Sequence, residues 1–480
     1  MYQINFQKPV HVHFIGIGGI SMSGLAEVLL EEHFTISGSD AKESELTKKL
    51  AQSGAVIYYG QSAEHISADT DLVVYTAAIH ADNPEYLAAQ KMQIPMLSRA
   101  ELLGQIMSNY KQSVAVAGTH GKTTTTSMVT HILLAAHTDP TISIGGILPA
   151  IGGNIQVGHS AYFVTEACEY TNSFLHFYPK YSMILNIEED HLDFFKDLDD
   201  IRHSFRLFAE NTAADGTIII NSEIDGLNHL LKGLDRQVVT YGFDPSCNFY
   251  PENITYQSSG FAQFTIMHRR NKVVHTEQGG NSSKFLAWRE TEKVCDVSLH
   301  VPGRHNISNA LAAAALAVQM GLPAEAISQG LHAFYGTDRR FQVKGERNGA
   351  TIIDDYAHHP TEISATLSAA ANYPHSRIIC VFQPHTYTRT KAFLDEFAAS
   401  LSAADIVVLA DIYAARETDT LGVSSLNILE KLKMRGTECY YFPSFEEIEK
   451  FLLKKIMNGD LLITMGAGDI IKVGESLLNH

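Results

Sequence analysis

The chain has no apolar run approaching the ~20 residues that a helix needs to cross a bilayer. Its start, MYQINFQKPVHVHFIGIGG, lacks a basic stretch followed by a long apolar core, so no secretory signal is expected. Cysteine is scarce. Cys168, Cys247, Cys295, Cys380 and Cys439 are odd in number, widely spread and free of any CxxC spacing. That argues against a disulfide scaffold or a cysteine metal site, and predicts reduced thiols in a cytoplasmic protein. Basic residues are outnumbered, 36 Lys and Arg against 53 Asp and Glu, a net charge of −17. No nucleic-acid surface and no membrane insertion are expected on that balance, although a local pocket for an anion stays compatible with it. There is one tryptophan, no low-complexity segment and no repeat beyond a shared α/β rhythm. What is present, 45% apolar and 19% charged residues over 480 positions, reads as a globular chain of two to four domains.

The most informative stretch is Val114–Met128, VAVAGTHGKTTTTSM. An apolar strand, Ser113–Ala117, leads into the turn Gly118-Thr119-His120-Gly121, and Lys122-Thr123 opens a helix. Backbone N–H groups of such a turn, together with the helix dipole, face an anion. Lys122 is placed to reach outer phosphates, and the Thr123 hydroxyl to hold Mg²⁺. Val116 stands where the usual phosphate-loop pattern has its first glycine. Threonine is a poor helix former, so tertiary contacts or a ligand must hold this helix start.

A second strand–glycine turn–helix lies at the front. Val10–Ile15 is followed by Gly16, Gly18, Gly19, Ile20, Ser21 and Met22, then a helix through Leu30. The strand Ile36–Asp40 ends on a carboxylate placed either to meet a ribose or base hydroxyl or to cap a helix. Further strands at Asp71–Tyr75 and Ile94–Leu97 put Ala77, Ala78, Ile79 and Arg99 along the same edge. In the middle of the chain, strand ends carry Glu166 and, near His191, the run Glu188-Glu189-Asp190. Such carboxylates beside a phosphate cradle either hold divalent cations or cap helices. Asn248–Val301 reads as an antiparallel appendage, and Gly279–Glu292, which includes Trp288, as a polar surface loop. Asn306 and Asn309 share one side of a helix start, where amides either read a nucleoside or cap the helix. The last third again alternates strands and helices, with Asp355, Tyr356, His358 and Arg389 just beyond strand ends.

Taken in order, G-I-G-G, G-T-H-G-K-T, the downstream Glu166 and D-H, G-R-H-N-x-x-N, D-D-Y-x-H-H-P-T-E and F-Q-P-H-x-Y-x-R-T resemble the motifs of the Mur ligases over nearly the whole chain. The set is most similar to members that add L-alanine. The resemblance implies an α/β chain of three domains, each on a mainly parallel sheet. These are a Rossmann-like UDP-sugar domain (1–110), a P-loop-type central ATPase domain (111–333) and a Rossmann-like C-terminal domain (334–480). It implies ATP-dependent joining of L-alanine to UDP-N-acetylmuramate through an acyl phosphate, with ATP and Mg²⁺ or Mn²⁺, in a monomer or homodimer.

The same resemblance assigns roles. Gly118, Thr119, Gly121, Lys122, Thr123 and Thr124 would hold ATP phosphates, with Asn306, Asn309, Arg340 and Asp355 completing the ATP site. Gly16, Gly18, Gly19, Ile20, Ser21, Met22, Asp40, Ala78, Arg99 and His120 would face the UDP-sugar. Tyr356, His358 and Arg389 would receive the amino acid, and Thr123, Glu166 and His191 the metal. Lys122, His120, His358 and Arg389 are the implied catalytic set. Thr386 stands where members often carry Arg, and Ala357 where Gly is common. Arg206 falls nearest by count to a lysine that later-acting members carbamylate, which fits the alanine-adding type. Three rivals stay open: a ligase attaching a tripeptide to the same sugar nucleotide, a nucleotide-gated binding protein, and an NAD-dependent dehydrogenase.

Overall fold

The alternation of short apolar runs with amphipathic stretches folds into three sheets, of five, ten and six strands. The computed structural model describes residues 2–76, 78–257, 260–278, 281–415 and 417–479, with backbone alone for 271–278 and 281–289. Among the described residues no helix is long and apolar enough to cross a membrane.

The first sheet is wholly parallel, in the order Val56–Tyr59, Thr35–Asp40, His11–Ile15, Leu72–Tyr75, Met96–Ser98. Its order reverses beside His11–Ile15, so the front glycine turn opens at the switch point where such sheets bind ligands. The helix Arg99–Met107 starts as the sequence suggests. Ser98 Oγ accepts from Glu101 N–H, and the Glu101 carboxylate accepts from Ser98 N–H. This sheet does not stand alone. One apolar cluster runs from Phe14 and Leu25 through Leu103 to Phe163, Phe174 and Phe205. Gly104 lies so close to the His176 carbonyl that any side chain there would collide with it.

The central sheet is built around Gln112–Ala117. In order its strands are Asn281–Pro302, Phe261–Gln278, Phe249–Tyr256, Gln237–Tyr241, Thr217–Asn221, Tyr181–Ile184, Gln112–Ala117, Tyr162–Ala167, Thr141–Leu148 and Gly153–Gln156. The antiparallel pairing expected over Asn248–Val301 is present, and the parallel pairing of Tyr241 with Phe249 joins it to the edge of this sheet. One expectation needs correcting. Residues 281–292 form part of a long strand rather than a loop, with Asn271 paired to Arg289 and Lys272 to Trp288. Their polarity misled because a two-stranded ribbon satisfies its backbone through the ladder and needs no apolar face along its whole length. Gly279 and Gly280 lie outside the described residues, as does Ala77.

The third sheet runs Gln342–Arg347, Ala350–Asp355, Asp460–Met465, Arg377–Phe382, Ile406–Leu409, Glu438–Tyr441, antiparallel only at its first pair. Register aligns the working ends. Ala117 pairs with both Ala167 and Ile184, and Met465 with both Asp355 and Phe382. The segments that follow these strands therefore leave each sheet at one level.

Candidate active site

The cradle depends on two backbone conformations. Gly118 and Gly121 sit at φ +151° and +82°, and a Cβ on either would press to 2.9 Å from Leu185 Cβ or Asn309 Oδ1. The helix Lys122–Ala135 follows directly. Two of its hydroxyl residues are accommodated by back-bonding, Ser127 Oγ to the Thr123 carbonyl at 2.7 Å and Thr130 Oγ1 to the Thr126 carbonyl at 2.8 Å. Lys122 Nζ turns back onto the cradle, donating to the carbonyls of Gly118 and Thr119 and to Glu169 Oε2 at 2.9 Å. Burial works against its charge, but the Glu169 carboxylate outweighs that and raises its pKa.

Thr123 Oγ1 donates to Glu166 Oε2 at 3.1 Å, and Gly145 N–H to Glu166 Oε1 at 2.6 Å. Burial raises the Glu166 pKa, so this carboxylate stands in want of positive charge. His191 lies elsewhere in the cluster. Its Nε2 is 3.9 Å from Glu169 and from Asp190, and its ring packs on Tyr170. No hydrogen bond or ion pair joins His191 to Glu166 among the described residues.

A cavity of about 530 Å³ opens between the cradle and the C-terminal sheet. Gly121, Thr124, Asn306, Asn309, Arg340 and Asp355, all expected at an ATP site, line it. Asn306 Nδ2 donates to the Pro302 carbonyl and Asn309 Nδ2 to Asn306 Oδ1, so the two amides brace each other. Asp355 accepts backbone N–H bonds from Phe341 and Ala357, and burial raises its pKa to about 6. His305, also in the lining, is pushed down to about 4 by burial and then by Arg340.

Along the seam, His120 lies between two carboxylates, Nδ1 3.2 Å from Glu362 Oε1 and Nε2 3.4 Å from Glu188 Oε2. Burial opposes its charge, yet Glu362 and Glu188 prevail and lift its pKa to about 9. His358 shows the opposite balance. Burial lowers it to about 4 despite Glu362, and its Nδ1 lies 3.0 Å from the Tyr356 carbonyl. Arg389 is held by Asp190, with Nε at 3.1 Å and Nη2 at 2.7 Å from Oδ1, which joins the central and C-terminal sheets. Tyr356 carries the guanidinium groups of Arg339 and Arg340 over its ring at 4.9 and 5.3 Å. Thr386 starts the next short helix at φ +67°.

At the front turn, Asp40 Oδ2 accepts from Gly18 N–H at 2.8 Å and Oδ1 from Ala41 N–H, so this carboxylate shapes the turn itself. Arg99 Nη1 donates to Ser21 Oγ at 3.0 Å, bringing two of the expected residues together. Ile20 is 65% exposed at the helix start, and Ala78 N–H donates to Thr76 Oγ1. Arg206 serves structure, bonding Glu210 and the carbonyls of Leu230 and Lys232.

Sequence reasoning named Glu188 and Asp190 only as cation ligands or helix caps and assigned no role to Glu169 and Glu362; each is the partner of an expected cation. The spacing of Glu362 four residues after His358, on a helix start, was the one available signal.

Three family models match successive parts of the chain: the Mur ligase family catalytic domain at residues 11–111, the Mur ligase middle domain at 116–317, and the Mur ligase glutamate ligase domain at 339–468. The UDP-N-acetylmuramate–L-alanine ligase of Agathobacter rectalis is 62% identical over 478 residues, covering 100% of both chains. The crystal structure of UDP-N-acetylmuramate-alanine ligase from Thermotoga maritima aligns over 98% of both chains at 30% identity, with a TM-score of 0.74. That of a murein peptide ligase from Psychrobacter arcticus aligns over 98% of both at 25% identity and a TM-score of 0.64. With three ordered domain matches and identity of this level from end to end, the chain belongs to the Mur ligase family.

Proposed function

We infer that the chain joins L-alanine to UDP-N-acetylmuramate using ATP, with release of ADP and phosphate, in peptidoglycan precursor synthesis. The observation that carries this reading is 62% identity, over the full length of both chains, to a ligase named for those two substrates. The rival that attaches a peptide is less well supported, since the murein peptide ligase stands at 25% identity and the lower TM-score. The braced phosphate turn and the carboxylate and imidazole groups of the seam speak against a dehydrogenase or a pure binding protein.

The work divides among residues 1–110, 111–333 and 334–480. The UDP diphosphate lies on the N–H groups of Ile20, Ser21 and Met22 at the start of the helix Ile20–Glu31, with Arg99 beside it. ATP phosphates occupy the Gly118–Thr124 cradle and the adenosine enters the cavity by Asn306 and Asn309. Thr123 and Glu166 fit Mg²⁺, a hydroxyl and a buried carboxylate being the hard oxygen donors it takes. Bound there, the ion offsets repulsion between the phosphates and an attacking carboxylate. His191, which stands beside Glu169 and Asp190, would have to turn toward Glu166 to reach that ion.

The muramoyl carboxylate attacks the γ-phosphorus, and the bond to ADP breaks, leaving an acyl phosphate. Lys122 leaves Glu169 and follows the developing negative charge. Cationic His120 holds the sugar carboxylate at the cradle. Arg389 takes the L-alanine carboxylate in two parallel bonds, exchanging Asp190 for the substrate. The neutral amine attacks the acyl carbon, and the tetrahedral intermediate expels phosphate. Because the groups are positioned before reaction, much of the acceleration is orientation and charge stabilisation.

The test supplies UDP-N-acetylmuramate and ATP with either L-alanine or the tripeptide. Phosphate release with L-alanine is expected; release with the tripeptide alone overturns the assignment. Lys122→Ala abolishes ADP release, and substantial retained turnover overturns the role of the cradle.

A further inference from the structure

We propose that His120, Glu188 and His359 form a site for a borderline divalent cation of the Zn²⁺ class, separate from the Mg²⁺ position at Thr123 and Glu166. Among the described residues these three are the group of histidine, cysteine and acidic side chains whose ligating atoms converge, all within 4.8 Å of one another. They come from three places: the phosphate turn, the end of the strand Tyr181–Ile184, and the start of the C-terminal helix Pro360–Ala370.

Two observations point to a ligand rather than to a chance meeting of polar groups. The first is that the Nε2 atoms of both His120 and His359 are buried without a hydrogen-bond partner. His359 is 4% exposed. His120 Nε2 is within ion-pair distance of Glu188, but the angle is not that of a hydrogen bond. Native interiors rarely leave such atoms unpaired. The second is that the supporting shell is already built. His120 Nδ1 faces Glu362 Oε1 at 3.2 Å, the carboxylate–imidazole pairing that turns the other ring nitrogen toward a metal. Thr361 Oγ1 donates to Glu188 Oε2 at 2.6 Å and orients that carboxylate. The His359 ring packs on Phe393 with centroids 4.9 Å apart.

The donor set selects the ion. Two imidazoles with one carboxylate suit Zn²⁺ or Co²⁺, whereas Mg²⁺ prefers oxygen throughout. The ion replaces the Nε2 proton of His120, which passes to solvent, and the Nε2 proton of His359, which moves to Nδ1 and releases the Thr361 N–H that Nδ1 accepts. The Glu188 side chain, 35% exposed, gives it a way in. Once bound, it ties the phosphate turn to the C-terminal domain and withdraws His120 from the sugar carboxylate, so occupancy inhibits. The site itself stands on its own residues, while inhibition by the ion rests on the role of His120 given above.

Co²⁺ is the probe. The full-length, nucleotide-free protein is titrated with Co²⁺ and the visible absorption of a four-coordinate, imidazole-bound ion is followed. One equivalent is expected, with release of a proton. His359→Gln weakens binding by more than the roughly hundredfold that losing an outer-shell partner costs. Glu188→Gln, at a side chain 35% exposed, weakens it likewise. Glu166→Gln leaves the spectrum intact. Absence of the bands, their survival in His359→Gln, or their loss in Glu166→Gln overturns the proposal.

Discussion

Replacing Glu362 by Gln tests the electrostatics of the seam directly. The substitution keeps an oxygen that accepts from the N–H of His358, where Glu362 Oε2 now stands at 3.1 Å, so the helix start keeps its cap. It removes one of the two negative charges facing His120. A rise in the His120 pKa from 6.5 to about 9 corresponds to roughly 3 kcal/mol favouring the charged ring, at about 1.4 kcal/mol per tenfold in proton affinity. Because the folded value lies above the unfolded one, this stabilisation is complete below pH 6.5 and is lost as the pH rises through about 9. Glu362 is one of two nearby carboxylates, so about half, or 1–2 kcal/mol, should vanish in the variant. The stability gap between the two proteins should therefore narrow by that amount between pH 6.5 and 10. Histidine NMR, with the signal identified by its loss in His120→Gln, should show a titration about one pH unit lower in the variant. A wild-type ring titrating near 6.5, or a gap independent of pH, would refute the reasoning.

Other perturbations reach different parts of the molecule. Arg389→Lys removes a guanidinium that presents two parallel donors, a loss of about 1.5–3 kcal/mol. The KM for L-alanine should rise roughly tenfold or more while that for the UDP-sugar stays nearly constant; equal rises in both would contradict the role. Below neutrality, His305 and His358 are held to about 4 chiefly by burial, so the fold favours their neutral forms. Stability should then fall as the pH drops from 6.5 through 4, seen as a declining urea midpoint, and a flat profile would count against it. Gly104→Ala drives a methyl into the His176 carbonyl where the first domain packs on the second. It should cost about 1–3 kcal/mol by calorimetry, and a neutral result would mean that the two domains do not share one packed core.

How much of this was legible beforehand divides along a physical line. Strands with strong apolar runs and their glycine turns were readable because period and turn chemistry are local. Ile36–Asp40, Thr217–Ile220 and Arg377–Phe382 fell within a residue or so of the observed elements. The edge strands Val56–Tyr59 and Glu438–Tyr441 were not, since they are short and half-exposed and carry little pattern. The polar ribbon at 281–292 failed for the reason already given, that backbone pairing leaves no hydrophobic trace. The site divides in the same way. Lys122, Thr123 and Arg389 announce themselves by residue type and spacing, but the groups that set their charge lie far off in the chain. Asp190 meets Arg389 across 199 positions and Glu188 meets Thr361 across 173. No local pattern encodes such a meeting; it follows from strand register, which brings Ala117, Ala167 and Ile184 to one level. The acidic run after Ile184 was visible in the sequence as a set of ordinary helix caps or metal ligands. Only the fold turns it toward His120 and Arg389, where Glu188 joins Glu362 in making His120 a cation, while burial holds His358 neutral although Glu362 lies four residues on.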